Sequence, residues 1–148
     1  MKKRLKIIGI ILGSVFILGL MFFMLCFKKE VQEHKNKEYA IDMFKLDEIL
    51  SITIDTLSQY DGEKEFKDEE TIEKIYKVFA NRKTNVESID DVPANPDLLY
   101  LVKFKNTSEN YKLAYIYKKG NKYYIQQPYN GIYQITKDEY IIVKKTIE

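Results

Sequence analysis

The sequence predicts an α+β domain in which an antiparallel sheet carries helices on one face, preceded by an N-terminal transmembrane helix. An uncharged apolar run over residues 7–27 indicates the transmembrane helix. Short segments that alternate apolar and polar residues recur between residues 50 and 135, as in half-buried strands. Two segments with the apolar spacing of helices, residues 68–83 and residues 138 to about 146, begin with acidic residues and predict helices that pack on this sheet.

The apolar run reads IIGIILGSVFILGLMFFMLCF over residues 7–27. As a helix it would be about 31 Å long, which matches the ~30 Å hydrocarbon core of a bilayer. Four basic residues crowd residues 1–6, and positive charge favours the cytoplasmic side of a membrane. We therefore expect cytoplasmic residues 1–6, a single-pass anchor in the lipid bilayer over residues 7–27, and an extracytoplasmic C-terminal domain at the cell membrane.

Two other fates of the apolar segment stay open, which are cleavage as a signal peptide and lipidation of Cys26. Signal cleavage needs small residues before the cut site, and no alanine occurs ahead of Ala40. The residues just before Cys26 are Phe23, Met24 and Leu25, which are larger than the residues of a lipoprotein signal. Both observations favour an anchor that stays attached.

Residues 28–46 are mostly polar and predict a stalk ahead of a folded domain over residues 47–148. The first strand alternates between core-facing apolar residues and water-facing polar ones, which are Leu50, Ile52 and Ile54 against Ser51, Thr53 and Asp55. Asp61-Gly62 predicts a turn, and residues 63–67 predict a short return strand that completes a β-hairpin.

A helix is predicted next, because Asp68 can cap it and acids in its first turn complement the helix dipole. Its apolar stripe recurs at helical spacing and consists of Ile72, Ile75, Tyr76 and Phe79. Residues 84–97 then contain two prolines and four acids and predict a loop. The acids do not match the spacing of a calcium-binding loop, so we expect no metal there. The loop is still a plausible contact surface.

Four further segments, residues 98–105, 111–118, 122–127 and 132–135, predict an antiparallel meander of three to four strands. Gly120-Asn121 predicts one hairpin turn, and Asn130-Gly131 predicts a type I′ turn in which both residues have positive φ. A capping box at Thr136 and Glu139 favours a final helix that buries Tyr140, Val143 and Ile147. The run 141–143 also fits a strand, so that alternative stays open.

The charge and the chemistry of the domain exclude several classes of function. Residues 40–148 contain 16 Lys and Arg against 19 Asp and Glu, and nucleic-acid binding needs clustered cations. The chain's single cysteine, Cys26, and its single histidine, His34, both precede the domain. Common nucleophile–base pairs therefore cannot form in it, and no phosphate-binding or zinc motif occurs. We expect neither an enzyme nor a cofactor.

What remains is a binding module that displays an interaction surface for a protein or peptide. The domain is rich in tyrosine, a residue enriched at interfaces, and the candidate residues are Tyr115, Tyr117, Tyr123, Tyr124, Tyr129 and Tyr133. The alternative function is a small-ligand or cell-wall-glycan binder that uses exposed tyrosines. A third interpretation is that these tyrosines pack the sheet and have no binding role.

The order of these elements resembles a known family. The resemblance rests on residues 47–54 (DEILSITI), Lys64-Glu-Phe66, the acid-capped helix, and residues 121–133 (NKYYIQQPYNGIY) with a following Asp-Glu-Tyr140. The family is a domain of unknown function in small membrane-anchored or secreted proteins of low-GC Gram-positive bacteria, especially clostridia. The resemblance covers about residues 45–148. It implies an extracytoplasmic α+β module and brings no established activity or site residues.

Overall fold

The computed structural model describes residues 16–29, 37–57 and 62–148. The chain divides into two compact units, residues 1–37 and residues 38–148. In the first unit, helix α1 covers residues 16–29, and every residue of it is exposed. The described part of the chain contains no helix with both the length and the hydropathy needed to cross a membrane. The predicted residues 1–6 and the first nine residues of the predicted anchor lie outside the described residues.

The second unit is built from eight short strands, two helices and a turn of 3₁₀ helix within the described residues. The strands are β1 (Tyr39–Ala40), β2 (Ile49–Thr56), β3 (Glu63–Phe66), β4 (Lys83–Thr84), β5 (Leu98–Asn106), β6 (Tyr111–Lys119), β7 (Lys122–Gln126) and β8 (Ile132–Ile135). The helices are α2 (Glu69–Phe79) and α3 (Lys137–Ile147), and the 3₁₀ turn is Leu46–Glu48.

Six of the described strands form one antiparallel sheet in the order β3-β2-β5-β6-β7-β8. One face of this sheet packs against both helices and holds the main core. That core includes Ile52 of β2, Phe104 of β5, Ile125 of β7, Phe79 of α2 and Val143 of α3. The predicted α+β class, with helices on one face of an antiparallel sheet, is therefore confirmed.

Local signals at the helix ends are confirmed in detail. The Asp68 carboxylate accepts a hydrogen bond from the Thr71 backbone N–H at 2.9 Å, and α2 begins at the next residue. Thr136 and Glu139 form the expected capping box, and α3 follows it. The alternative of a C-terminal strand is thus wrong. The predicted buried residues of α3 are all buried, and these are Tyr140, Val143 and Ile147.

The first strand departs from the predicted alternation at its start. Leu50 is 47% exposed, whereas Ser51 is only 1% exposed. The register of β2 against β5 shifts between Ile49 and Ser51, so Leu50 stands outside the regular pairing that begins with Ser51 opposite Lys105. The prediction for Leu50 and Ser51 is therefore wrong, while Ile52 and Ile54 are fully buried as expected.

The folded domain begins earlier than the predicted boundary between stalk and domain at residue 47. The compact unit starts at residue 38, and β1 pairs with β4 just beyond it. Ile41, Met43 and Phe44 then pack against the main core. A two-residue strand has no periodicity that a sequence can display, so residues 38–46 read as polar stalk although they are part of the domain.

The turn at residues 127–131 differs from the type I′ turn predicted for Asn130-Gly131. Positive φ occurs at Tyr129 (55°), and neither Asn130 nor Gly131 has it. The Gln127 N–H donates to the Gly131 carbonyl at 2.9 Å, which closes the turn. Gly131 is required for space. A Cβ there would lie 2.7 Å from both Thr84 Cγ2 and the Tyr133 hydroxyl, closer than nonbonded atoms approach.

We expect Gly131→Ala to lower the free energy of unfolding by about 1–3 kcal/mol, because the added methyl overpacks a fixed contact. Urea denaturation of residues 38–148 measures the change. Gly120→Ala is the control, since no atom lies within 4 Å of its Cβ position and its cost of about 1 kcal/mol arises from positive φ alone. Only Gly131→Ala should displace the NMR signals of Thr84 and Tyr133. Wild-type stability and unchanged signals in Gly131→Ala would contradict the prediction.

Candidate functional site

The face of the sheet opposite the helices is partly covered by the loop at residues 84–97. The Asp97 N–H donates to the Lys118 carbonyl at 2.9 Å, and Gln126 Nε2 donates to the Asp90 carbonyl at 3.4 Å. Pro93, in the middle of the loop, is buried. The loop therefore follows β6 and β7 and shields part of their outer face from water.

A second, smaller apolar cluster lies on this outer face. Leu99 of β5 and Tyr115 and Tyr117 of β6 are its buried members, with Leu101 and Tyr124 packed against them. The rings of Tyr117 and Tyr124 stack with their centroids 5.4 Å apart. Burial raises the pKa of Tyr117 to about 12, with a smaller contribution from Tyr124. These side chains hold the sheet together and offer little surface to a ligand.

The six candidate tyrosines therefore do not form one exposed surface. Tyr133 is 2% exposed in the main core, and Tyr123 packs against the same core. Tyr115, Tyr117 and Tyr124 belong to the outer cluster. Tyr129 alone among the six is largely exposed, at 69%. The sheet-packing interpretation thus accounts for five of the six.

Tyr129 borders an open groove of about 700 Å³ on the outer side of the domain. Tyr111, at the start of β6, also lines the groove, is 58% exposed and was not among the candidates. Leu113, Tyr115 and Pro128 add apolar surface between them. The spacing of β6 contains a signal for this, because residues 111, 113 and 115 share one face of the strand. The sequence does not show that the end of this face stays uncovered.

Two amides fasten one wall of the groove to the first residues of the domain. The Asp42 N–H donates to Gln127 Oε1 at 2.7 Å, and Gln127 Nε2 donates back to the Asp42 carbonyl at 2.8 Å. Asn130 Nδ2 donates to the Ala40 carbonyl at 2.8 Å. The side chains of Gln127 and Asn130 are thus engaged in hydrogen bonds that hold the turn containing Tyr129 in place.

The charges in the groove are unevenly distributed. Lys112 forms an ion pair with Asp42, and its ammonium lies 5.0 Å from the centre of the Phe44 ring. Asp91 lies beside Tyr129. Its carboxylate accepts a hydrogen bond from the Tyr129 hydroxyl and thereby raises the pKa of Tyr129. Burial raises the pKa of Tyr115, and the charge of Asp91 adds to that increase.

The described residues contain no group of three or more His, Cys, Asp or Glu side chains placed to hold a metal ion. What the groove offers is aromatic surface, apolar surface, hydrogen-bonding groups and one carboxylate beside two tyrosines. That combination suits non-covalent binding.

A protein-family profile matches residues 36–134 of the chain, which is two thirds of its length. The chain belongs to the DUF5301 family. The family is described as a domain of unknown function (DUF5300), so the predicted resemblance to a family of unknown function is confirmed. Every residue that lines the groove of this DUF5301 domain, from Asp42 to Asn130, lies within the match.

The DUF5301 domain is also similar to a solved structure, the NMR structure of a protein from Ruminococcus gnavus. The two chains are 30% identical with a TM-score of 0.55. The match covers 68% of this chain and 98% of that chain. Almost the whole of that relative therefore aligns with about two thirds of this chain. No curated protein matches the chain.

Proposed function

We propose that this protein is a membrane-anchored binding module that presents its DUF5301 domain outside the cell and binds a peptide or protein segment in the groove between Tyr111 and Tyr129. The observation that carries the proposal is the groove itself. Two aromatic side chains that could have been buried in the sheet stand exposed on either side of it. Aromatic side chains at such positions are typical of binding surfaces.

The surroundings of the groove support a peptide ligand. Val86, Ile89 and Val92 of the 84–97 loop are exposed, and the same loop contributes Asp91 to the groove. Exposed apolar side chains with polar neighbours are typical of a protein-binding surface. A peptide that extends from the groove onto this loop would remove them from water.

Membrane attachment is supported by the first unit. Its helix α1 exposes large apolar side chains, among them Phe16, Phe22, Phe23 and Leu25. Residues 7–27 carry no charge, and exposed apolar surface of this kind is stable when lipid covers it. Residues 1–6 supply the positive charge that orients such a helix with its N-terminus in the cytoplasm.

A cell-wall glycan is the second candidate ligand, and the exposed rings of Tyr111 and Tyr129 favour it. A sugar ring can stack on a tyrosine while its hydroxyls form hydrogen bonds. The burial of Tyr115 and Tyr117 in the outer cluster weakens this candidate, because it leaves two exposed tyrosines on the groove.

Peptide selection by display on residues 38–148 tests the proposed function. Selected peptides should perturb the amide NMR signals of the groove, around residues 111–115 and 127–131. Tyr129→Ala should weaken their binding by about tenfold or more, since aromatic anchors dominate such interfaces. Leu50→Ala is the matched control, because Leu50 is also exposed but lies outside the groove. Failure to select peptides, together with perturbation of the same signals by N-acetylglucosamine oligomers, would favour the glycan.

Reporter enzymes fused after Glu148 test the topology separately. An enzyme that works only outside the cytoplasm should be active in the fusion. Activity of a reporter that works only in the cytoplasm would overturn the extracytoplasmic placement and leave the peptide-binding groove untouched.

A further inference from the structure

The groove has two ends with different electrostatic character. Lys105 beside Tyr111 pairs with Glu109, and Lys112 of the groove lining pairs with Asp42. Asp91 stands beside Tyr129 and lines the groove together with Tyr115. The charged residues of the lining are Asp42, Asp91 and Lys112, and among the described residues Asp91 alone of these three has no ion-pair partner.

The aromatic groups at this end add a second, independent observation. Tyr129 is fixed with positive φ by a turn that Gln127 closes, and its ring stays exposed beside the Asp91 carboxylate. Tyr115 lines the same groove, and the charge of Asp91 contributes to its raised pKa. A carboxylate beside an exposed aromatic ring can bind an ammonium or guanidinium group, since the ring face and the carboxylate attract the same charge.

The opposite end of the groove uses the same chemistry within the chain. The Lys105 ammonium lies 5.9 Å from the centre of the Tyr111 ring, and Glu109 pairs with that lysine at 3.1 Å. A cation, an aromatic ring and a carboxylate thus occur together at the Tyr111 end. At the Tyr129 end the ring and the carboxylate are present without the cation.

We infer that the ligand is a basic peptide segment, in which a lysine or arginine side chain enters the Tyr129 end of the groove and places its charge on the Asp91 carboxylate. The apolar stem of that side chain lies along the Tyr129 ring. This inference rests on the proposed peptide-binding function and names the chemistry of the peptide.

The probes for the test are two blocked tripeptides, acetylated at one end and amidated at the other, one of lysine and one of glutamine. Each is titrated into isotopically labelled residues 38–148 and followed by amide NMR. The lysine peptide should shift the signals of Asp91 and Tyr129 in a saturable way, and binding should weaken as salt concentration rises. The glutamine peptide should shift them by less than half as much at equal concentration.

Asp91→Asn should weaken binding of the lysine peptide by about tenfold, because it removes the charge-assisted contact and keeps the size of the side chain. Glu87→Gln is the matched control, as it removes the same charge from an exposed position of the same loop outside the groove lining. We expect it to weaken binding by less than about twofold. An unchanged amide spectrum elsewhere shows that each variant is folded.

The outcomes separate this inference from the function on which it rests. Equal binding of both tripeptides, or equal losses in Asp91→Asn and Glu87→Gln, would overturn the basic-peptide inference and leave a peptide groove standing. Shifts caused by N-acetylglucosamine oligomers and by neither tripeptide would overturn both. Absence of any shift with the lysine peptide would also overturn the inference, while the display selection decides separately on the groove.

Discussion

Replacing Phe104 by alanine is expected to lower the free energy of unfolding by about 3–5 kcal/mol, because it removes a fully buried aromatic ring from the centre of the sheet. Phe104 is completely buried, and β5 carries it between β2 and β6. Its ring meets that of Phe79 edge to face, with centroids 5.1 Å apart. The pair joins α2 to the sheet, so the loss should affect the whole domain.

A double-mutant cycle isolates this pair from simple burial. Phe79→Ala should lower the free energy of unfolding by a similar amount. The loss in the double variant should be about 0.5–1.5 kcal/mol smaller than the sum of the two single losses, which is the coupling energy of an aromatic pair. Urea denaturation of residues 38–148 measures all three variants. Leu113→Ala is the control, because its exposed side chain should cost less than about 1 kcal/mol. Additive losses, or a loss below 2 kcal/mol for Phe104→Ala, would contradict this account of the core.

The second large effect expected is unfolding at alkaline pH. Burial raises the pKa of Tyr117 and of Tyr133 from 10.0 to about 12. Burial also raises the pKa of Tyr140, and the neighbouring Tyr100 contributes. Because these folded-state pKa values lie above those of the unfolded chain, the folded protein keeps protons that the unfolded chain has lost. The resulting stabilisation is complete below pH 10 and disappears as pH rises to about 12.

The titration of Tyr117 and that of Tyr133 should therefore each lower the free energy of unfolding by about 2 kcal/mol as the pH rises from 10 to about 12. Urea denaturation at several pH values between 9 and 12 gives the slope, and tyrosinate absorbance shows which groups titrate before unfolding. Tyr117→Phe should make the slope shallower by removing one titrating group. Tyr111→Phe should leave it nearly unchanged, because that side chain is exposed. Equal slopes in both variants and the wild type would show that burial of Tyr117 does not control alkaline stability.

The parts of the fold that the sequence predicts are those set by neighbours in the chain. The cap of α2 at Asp68 and the capping box at Thr136 involve partners three residues away, so both helices were predicted with nearly correct bounds. The pairing of β1 with β4 joins residues more than forty positions apart. Two-residue strands gain their stability from such distant partners and leave no local pattern. The boundary of the domain was therefore placed too late.

The candidate site also depends on contacts between residues that are distant in the chain, and this part of it was not predicted. The sequence proposed two separate recognition surfaces, the tyrosines and the acidic loop at residues 84–97. The structure places one member of each together, since Asp91 accepts a hydrogen bond from Tyr129. Which tyrosines stay exposed depends on where the loop lies across β6 and β7, and alternation along a strand does not contain that information. Tyr111 was missed for the same reason.

The hydrogen bonds of residues 40–42 have a mechanical consequence. A chain tethered at its N-terminal side transmits tension into the domain through these residues. The first contacts to take the load are the Glu38–Lys83 ion pair and the pairing of β1 with β4. The next are the bonds of the Ala40 carbonyl with Asn130, of the Ile41 N–H with Arg82, and of Asp42 with Gln127. The bonds to Asn130 and to Gln127 lie in the wall of the groove. If the proposed anchor holds the chain, tension on it would reach the wall of the groove before the six-stranded sheet, and we then expect binding in the groove to depend on that tension.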